Sequence, residues 1–331
     1  MIDRNRPSIA VLFTDSAKCG SNLPFTRRYS RVHSIFSKKA DEHGLNVFFA
    51  HYKEFKDNKL KCCWYRHKGK WKLLQEQEID IVYSRFAGSI YRDNRKNKWA
   101  EKFKYKMAEQ ISIINHPVID EVCWDKKIIA EIFPEYTPKT FLVNTKKGLK
   151  LVLPEIKSDK VVIKPRYGTL GKNVVITDKN NLPDEIEKNT IVQEFIDTSK
   201  GIKGITNEVH DMRLIIINGK IDHAFIRIPK KGLLTANVAL GGRKVFISKE
   251  MIPKKAIRIA KKVDKLFKKF YPRIYSVDFL FDEKGKACVV ECNSQPMIDK
   301  YAFGKYADLS FYDRFFEVIK ESTPLKVVGR Y

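Results

Sequence analysis

No stretch of this 331-residue chain approaches the roughly 18 consecutive apolar residues that a membrane-spanning helix requires. The run from Ile9 to Phe13 near the start follows charged residues and Pro7 and is too short for the core of a secretory signal. The expected location is therefore the cytoplasm, with no membrane partner. Cysteine is scarce: Cys19, Cys62, Cys63, Cys123, Cys288 and Cys292 include no C-x-x-C pair, so neither zinc nor a disulfide framework is expected. Internal repeats and low-complexity segments are absent. Acidic residues are in short supply, 39 against 64 lysines and arginines, which leaves a net charge of +25. Such a field attracts polyanions, whether nucleic acid, phosphorylated metabolites or acidic peptides. The lysines nevertheless come as scattered pairs with no basic tail, and no aromatic-plus-basic cluster stands out, so nucleic acid is not the expected partner. A lysine-rich composition alone would give the same count.

What is present describes a folded protein. The chain is 43% apolar and 12% aromatic, and its length allows two or three domains with cores of their own. Short apolar runs at Ser8 to Phe13, Leu45 to Tyr52, Ile79 to Ser84 and Ile111 to Ile114 read as strands. They alternate with helical spacing at Tyr29 to Glu42, stopped by Gly44, and at Lys98 to Gln110. Leu60 to Tyr65 and Trp71 to Leu74 form a hairpin. Residues 1–115 are thus expected to be an open α/β domain. Beyond them, Asp125 to Phe133 reads as a short helix, and Lys139 to Val143, Val161 to Lys164, Val174 to Ile176 and Thr190 to Ile196 as strands. A short helix is expected near Asp184 to Lys188. Asn218-Gly219 joins two long strands as a tight hairpin turn. Lys249 to Phe270 is amphipathic, with an apolar stripe of Ala256, Ala260, Val263, Phe267 and Phe270. Its lysine-crowded other face reads first as the solvated side of a helix packed on a sheet and second as a basic groove.

The chemistry concentrates in Ser276 to Pro296, SVDFLFDEKGKACVVECNSQP, which reads as a hairpin turning at Asp282-Glu283-Lys284-Gly285. A two-residue turn centred on Lys284-Gly285 sets Asp278 opposite Glu291, and a three-residue turn slips that by one position. Asn293 is two residues past Glu291 and leaves the same strand face. Two carboxylates and an amide are oxygen donors of the kind Mg²⁺ takes; a hairpin with one solvated face is the plainer alternative. Upstream, Lys164-Pro165-Arg166-Tyr167-Gly168-Thr169-Leu170-Gly171-Lys172 lies between two strands. Its glycines let backbone N–H groups turn toward phosphate oxygens, with Lys164 adding charge. It is not a Walker loop, whose spacing is longer and whose next element is a helix. Gln193-Glu194-Phe195-Ile196 ends a strand whose backbone edge can read adenine. Arg213 and Arg227 lie in adjacent strands and require anionic partners. Asn237 and Gly241-Gly242 occupy a loop where backbone can approach a ligand closely.

In this order the pieces over residues 115–300 resemble the ATP-grasp superfamily, and within it the ribosomal-protein glutamate ligases and glutathione synthetase-like carboxylate–amine ligases. The resemblance rests on Asp125-Lys126, Lys164 with its glycine loop, Gln193-Glu194-Phe195, Asp211-Met212-Arg213, Asn237 with Gly241-Gly242, Asp278, and Glu291-Cys292-Asn293-Ser294-Gln295-Pro296. It implies an ATP-grasp fold of two α+β subdomains, residues 116–196 and 197–331, gripping ATP behind the N-terminal α/β domain. Lys126, Lys164, Gly168 and Gly171 would face the phosphates, and Gln193, Glu194, Phe195 and Ile196 the adenine. Asp211 would lie near the ribose side or the substrate pocket, and Arg213 on the nucleotide side. Asp278, Glu291 and Asn293 would hold Mg²⁺, or Mn²⁺ in its place, and Arg227 and Asn237 with Lys164 would act on the transferred phosphate. Two departures fall on the acceptor side: Thr235-Ala236-Asn237 stands where the glutamate ligases have Arg-Ser-Asn, and Met297 replaces the glycine after the last proline.

The implied reaction joins a small-molecule or peptide carboxylate to an amine through an acyl phosphate, with release of ADP. Two other functions compete. A small-molecule kinase on the same fold, like the inositol phosphate kinases, suits a basic protein, and a nucleic-acid-binding protein with a degenerate nucleotide site is the third. The identities of acid and amine, and the oligomeric state, are not written in the sequence.

Overall fold

A computed structural model describes residues 2–14, 23, 27–86, 98–168, 171, 173–235, 241–296 and 310–323. The N-terminal region comprises β1 (Ser8–Phe13), α1 (Arg27–Glu42), β2 (Asn46–His51), β3 (Phe55–Lys56), β4 (Lys59–His67), β5 (Lys70–Glu78), β6 (Ile81–Ser84), α2 (Lys98–Gln110) and β7 (Ser112–Ile114). Strands β2, β1, β6 and β7 run parallel in that order, and β4 adds an antiparallel edge carrying β5 and β3. Their near-continuous apolar runs fit a sheet buried on both faces, and separate clusters around Val47 and Phe48 cover the two sides. Gly44, at φ +70°, closes α1.

Two antiparallel sheets follow. The smaller has the order β10-β9-β11-β8, from β8 (Thr140–Val143), β9 (Lys160–Pro165), β10 (Val175–Asp178) and β11 (Thr190–Glu194). The larger has the order β14-β13-β12-β15-β16, from β12 (Asp211–Ile217), β13 (Lys220–Ile228), β14 (Arg243–Ile247), β15 (Ile274–Phe281) and β16 (Ala287–Asn293). Helices α3 (Pro117–Trp124), α4 (Lys126–Ile132), α5 (Lys146–Val152), α6 (Lys254–Phe267) and α7 (Ser310–Ser322) complete the described elements. Among these, α3, α5 and α7 have no counterpart in the sequence reading. The helix expected near 184–188 is absent, and that segment is irregular. Cys62 is disulfide-bonded, where the sequence leads one to expect no disulfide framework. Cys63, Cys123, Cys288 and Cys292 are free. No helix among the described residues is long and apolar enough to cross a membrane.

The five-stranded sheet divides its two faces between jobs. Met212, Leu214, Ala224, Ile226, Tyr275, Val277, Phe279 and Val289 point to one side, where they pack with α3 and α6 in the largest core cluster. Ile215, Ile217, Phe225 and Ile274 point to the other. There α7 inserts Phe311, Tyr312, Phe315, Phe316 and Ile319 between this sheet and the N-terminal sheet with α1. Each such side chain contributes roughly 1.5–3 kcal/mol on burial, so α7 fixes the N-terminal region against the large sheet. The strand ends beyond α7 on this second face carry the charges.

Candidate active site

The hairpin β15–β16 reaches its register by two compensating irregularities. Glu283, Lys284 and Gly285 make a three-residue turn: Asp282 and Lys286 pair across it, Gly285 takes φ +69°, and the Asp282 carboxylate accepts from Lys284 N and Lys286 N. That turn alone would set Asp278 opposite Val290. A bulge between Asp278 and Phe279 shifts the ladder by one, and Asp278 pairs with Glu291 after all. The bulge lets Val289 sit in the core while Glu291, two residues on, points into the site.

Asp278 is buried and shared between two arginines. Arg213 Nε and Nη2 donate to its oxygens at 2.6 and 2.5 Å, and Arg227 Nη2 donates at 2.6 Å. Arg227 also forks onto Asp211, with Nε and Nη2 at 2.5 and 2.6 Å. Antiparallel registry makes this tetrad, because Arg213 lies opposite Asp278 and Asp211 opposite Arg227. Burial raises Asp211 to about 6, with Arg227 opposing the rise and Asp278 adding to it. Asp278 goes the other way. Burial would raise it too, but Arg213 and then Arg227 outweigh burial and hold it below the usual carboxylate range. Burial would likewise lower the Arg227 guanidinium, and the carboxylates of Asp211 and Asp278 hold it charged.

Lys164 approaches from the smaller sheet. It is buried, and its ammonium donates to Gln193 Oε1 at 2.8 Å; Gln193 Nε2 donates in turn to Thr140 Oγ1 at 2.8 Å. Burial, helped by the charge of Lys126 and opposed by Glu291, lowers its pKa to about 8. Lys126, the first residue of α4, donates to the Gly168 carbonyl at 3.0 Å. The base of the glycine loop is held by Asp125, which accepts from Arg166 Nε and Nη2 at 2.9 and 2.7 Å and caps α4 through Lys127 N. Gly168 and Gly171 take φ +141° and +65°, which L side chains rarely adopt. At the end of β11, Glu194 accepts from Lys157 N at 3.1 Å, Phe195 N donates to Ser158 Oγ at 3.1 Å, and Ile196 is half-buried. Asn237 lies outside the described residues, as do Ala236 and Met297.

Three positioning interactions were not legible in the sequence. Asn115 holds the Ile274 backbone on both sides, donating to its carbonyl at 2.6 Å and accepting from its N–H at 2.7 Å, and it also donates to Ser294 O. Trp124 Nε1 donates to Ser294 Oγ at 2.7 Å. Arg166 on Asp125 is the third, and a charged residue between Pro165 and Tyr167 at a strand end was its only signal.

Among the described residues no group of three or more histidines, cysteines and carboxylates forms a metal cage. A cation here would rely on two carboxylates, an amide and oxygens brought by a substrate, which is how Mg²⁺ is commonly held. The residues fit that role. Glu291 has no hydrogen bond or ion pair among the described residues. The buried amide nitrogen of Asn293 is unpartnered, and a half-turn of that amide puts an oxygen donor in the same place. Asp278 joins them by sharing oxygens with Arg213 and Arg227.

A small and a large antiparallel sheet, facing each other across the buried Lys164 and a carboxylate hairpin, define an ATP-grasp fold. The solved ATP-grasp ligase PsnB, complexed with a minimal precursor, matches it with a TM-score of 0.62 at 13% identity, covering 96% of this chain and 99% of that one. The D-alanine–D-alanine ligase of Bacillus anthracis, complexed with ATP, gives 0.61 at 14%, covering 96% and 97%. The chain belongs to the RimK-like ATP-grasp domain family, whose model matches residues 129–311. It is 29% identical over 179 residues to a probable alpha-L-glutamate ligase of Legionella pneumophila (strain Corby), covering 52% of this chain and 54% of the relative. The chain spans about half the length of the curated relatives it matches.

Proposed function

We propose that the protein is an ATP- and Mg²⁺-dependent ligase that joins a carboxylate to an amine with release of ADP. The observation that carries this reading is Lys164, buried on the smaller sheet within electrostatic reach of Lys126 and of Glu291 from the larger one, beside the Asp211–Arg227–Asp278–Arg213 tetrad. ATP would supply the activating phosphoryl group, and Mg²⁺, or Mn²⁺ in its place, would neutralise its oxygens on Asp278, Glu291 and Asn293. Lys126, Lys164 and the backbone at Gly168 and Gly171 would hold the phosphates, and Gln193 to Ile196 the base. Arg227, with Asn237, would face the transferred phosphate. Asp211 and Arg213 keep Arg227 and Asp278 in place. Such a site needs no strong general base; its work is positioning and charge neutralisation away from water.

Hydroxylamine separates this reading from a kinase. An acyl phosphate is electrophilic at carbon and yields a hydroxamate, whereas a phosphate ester offers nothing to intercept. With a panel of amino acid and peptide carboxylates, hydroxamate is expected for at least one, dependent on ATP and Mg²⁺. Phosphorylation of an inositol phosphate or another alcohol, with no hydroxamate from any carboxylate, would replace the ligase with a kinase.

The charge on Lys164 gives a second expected result. Its pKa lies below the unfolded value of roughly 10.4, so burying the ammonium opposes folding at neutral pH. That penalty is relieved as pH rises from about 8 toward the unfolded value. Lys164→Met keeps the volume and removes the charge. Its lost bond to Gln193 and the relieved charge burial act in opposite directions on stability, while nucleotide affinity falls on the order of tenfold or more. In the wild type, affinity measured by calorimetry weakens as pH rises through about 8, and in the variant the profile is flat there. Parallel profiles would mean that Lys164 does not meet the nucleotide.

A further inference from the structure

We infer that the outer face of α6 is a docking surface for the phosphate backbone of a nucleic acid, on the side of the five-stranded sheet opposite the candidate active site. The sequence leaves a basic groove as the second reading of this face, behind a solvated one. The fold adds that every exposed position from Lys254 to Lys269, eight in all, is a lysine or arginine. Arg258, Lys261, Lys265 and Lys268 stand among them at helical spacing. None of the eight forms an ion pair among the described residues. The one acid of the helix, Asp264, is turned inward and taken by Arg273 at 2.9 and 2.8 Å and by the Tyr275 hydroxyl at 2.9 Å.

A lysine-rich composition does not by itself produce this. The exposed positions described in α1 mix Arg31 and Lys38 with Asp41 and Glu42, and those in α7 set Lys320 between Glu317 and Glu321. On α6 the local rules are broken in one direction. Like charges repel at three- and four-residue spacing, Lys254 and Lys255 oppose the helix dipole at its N-terminus, and no side chain caps that end. The helix is held by Ala256, Ile259, Ala260, Val263 and Phe267 in the core, and the charges gain little locally: Lys262 lies over the Tyr136 ring at 4.8 Å, Lys269 over that of Phe270 at 5.2 Å, and Lys265 suits the dipole in the last turn. Breaches of this kind collect where function requires them.

The spacing suits a phosphate chain. From Lys254 to Lys269 the helix and the turn that ends it run about 22 Å, so the eight cations come about one per 3 Å, near the roughly 3.4 Å per phosphate along one nucleic-acid strand. Lys255 donates to the Gly285 carbonyl at 3.2 Å, which brings the β15–β16 turn to the same face with exposed Lys284 and Lys286 and one exposed acid, Glu283, paired with Lys200 at 3.0 Å. Because every exposed position of the row is cationic, it offers no apolar pocket for the side chains of a peptide. The recognition is of backbone charge and therefore independent of sequence. Since α6 packs on the core face of the sheet, the surface would anchor a partner without covering the site.

The test titrates the whole protein into labelled RNA duplex, DNA duplex and single-stranded RNA of about 20 nucleotides per strand, and into a glutamate-rich peptide of matched charge, at about 50 to 200 mM salt. At least one nucleic acid is expected to bind, with log affinity falling against log salt at a slope of roughly −4 to −6. The three nucleic-acid arms tell which form is preferred. The triple variant Lys261→Glu, Lys265→Glu, Lys268→Glu should keep its melting temperature, lose roughly 30-fold or more in affinity and flatten the slope by about 3. Reversing Lys68, Lys70 and Lys72 on the β4–β5 hairpin should leave binding unchanged. The inference is overturned if no nucleic acid binds, if both triple variants lose affinity equally, or if the peptide binds as tightly with the same sensitivity to the α6 variant.

Discussion

Glu291→Gln is expected to lower turnover by on the order of 10²–10³-fold and to leave the melting temperature nearly unchanged. The side chain keeps its shape and loses only its charge. Since Glu291 makes no ion pair or hydrogen bond among the described residues, the substitution breaks no link in the fold. What it removes is the carboxylate directly opposite Asp278, whose charge also reaches Lys164 and Arg227. ADP release with a competent carboxylate measures the first effect. Calorimetric titration of Mg²⁺ in the presence of nucleotide, expected to show weakened binding, measures its cause. Activity close to wild type at saturating Mg²⁺ would remove Glu291 from the metal set, and a melting temperature lowered by many degrees would make its role structural.

Arg227→Met should be the most destabilising change in the site, at about 3–5 kcal/mol by denaturant unfolding at neutral pH. It leaves Asp211 with no hydrogen-bonded cation, only the field of Arg213, and Asp278 with Arg213 alone, both in a dry environment. Asp211, already raised to about 6 by burial, would rise further. Its folded pKa already stands above the unfolded one and would move further up, so the loss relative to wild type is small in acid, where the carboxyl is neutral in both, and grows as pH rises from about 6 to the newly raised value. Adding Asp211→Asn should restore most of the stability, because the uncompensated charge is then gone. Arg227→Lys should fall between, since an ammonium carries the charge without the planar fork that bridges two carboxylates. A single variant as stable as wild type, or a double variant no better than the single, would show that the tetrad is not held by these pairs.

How much of this was legible beforehand differs from residue to residue. The strands around Asp278, Glu291, Arg213 and Arg227 could be read because alternation and turn residues are local signals, and their charges in apolar runs demanded partners. That Arg213 and Arg227 both turn to Asp278 could not be read. Their partners lie 65 and 51 residues away, and a sheet order of β13-β12-β15 is needed to align them. Lys164 was picked out by its place before a glycine loop, yet its lowered pKa depends on Lys126 and Glu291 arriving from two other elements. The lysines of α6 were visible as a crowded helix face, and only packing revealed that no acid shares it.

The sequence by itself determined the elements and the chemistry they carry: amphipathic periods, turn residues, and oxygen donors spaced two apart on one strand, all set by neighbours within a few residues. The register of the active hairpin belonged to the tertiary structure. A three-residue turn and a bulge at Val290 each shift the ladder by one, and neither is dictated by the residues at its own position. The bulge is favoured because it buries Val289 against the core while turning Glu291 out to face Asp278, a choice that only the packed sheet can enforce. The placement of α7 was decided in the same way. Its apolar face could pack on many surfaces, and only the assembled large and N-terminal sheets present the cleft that Phe311, Phe315 and Phe316 fill.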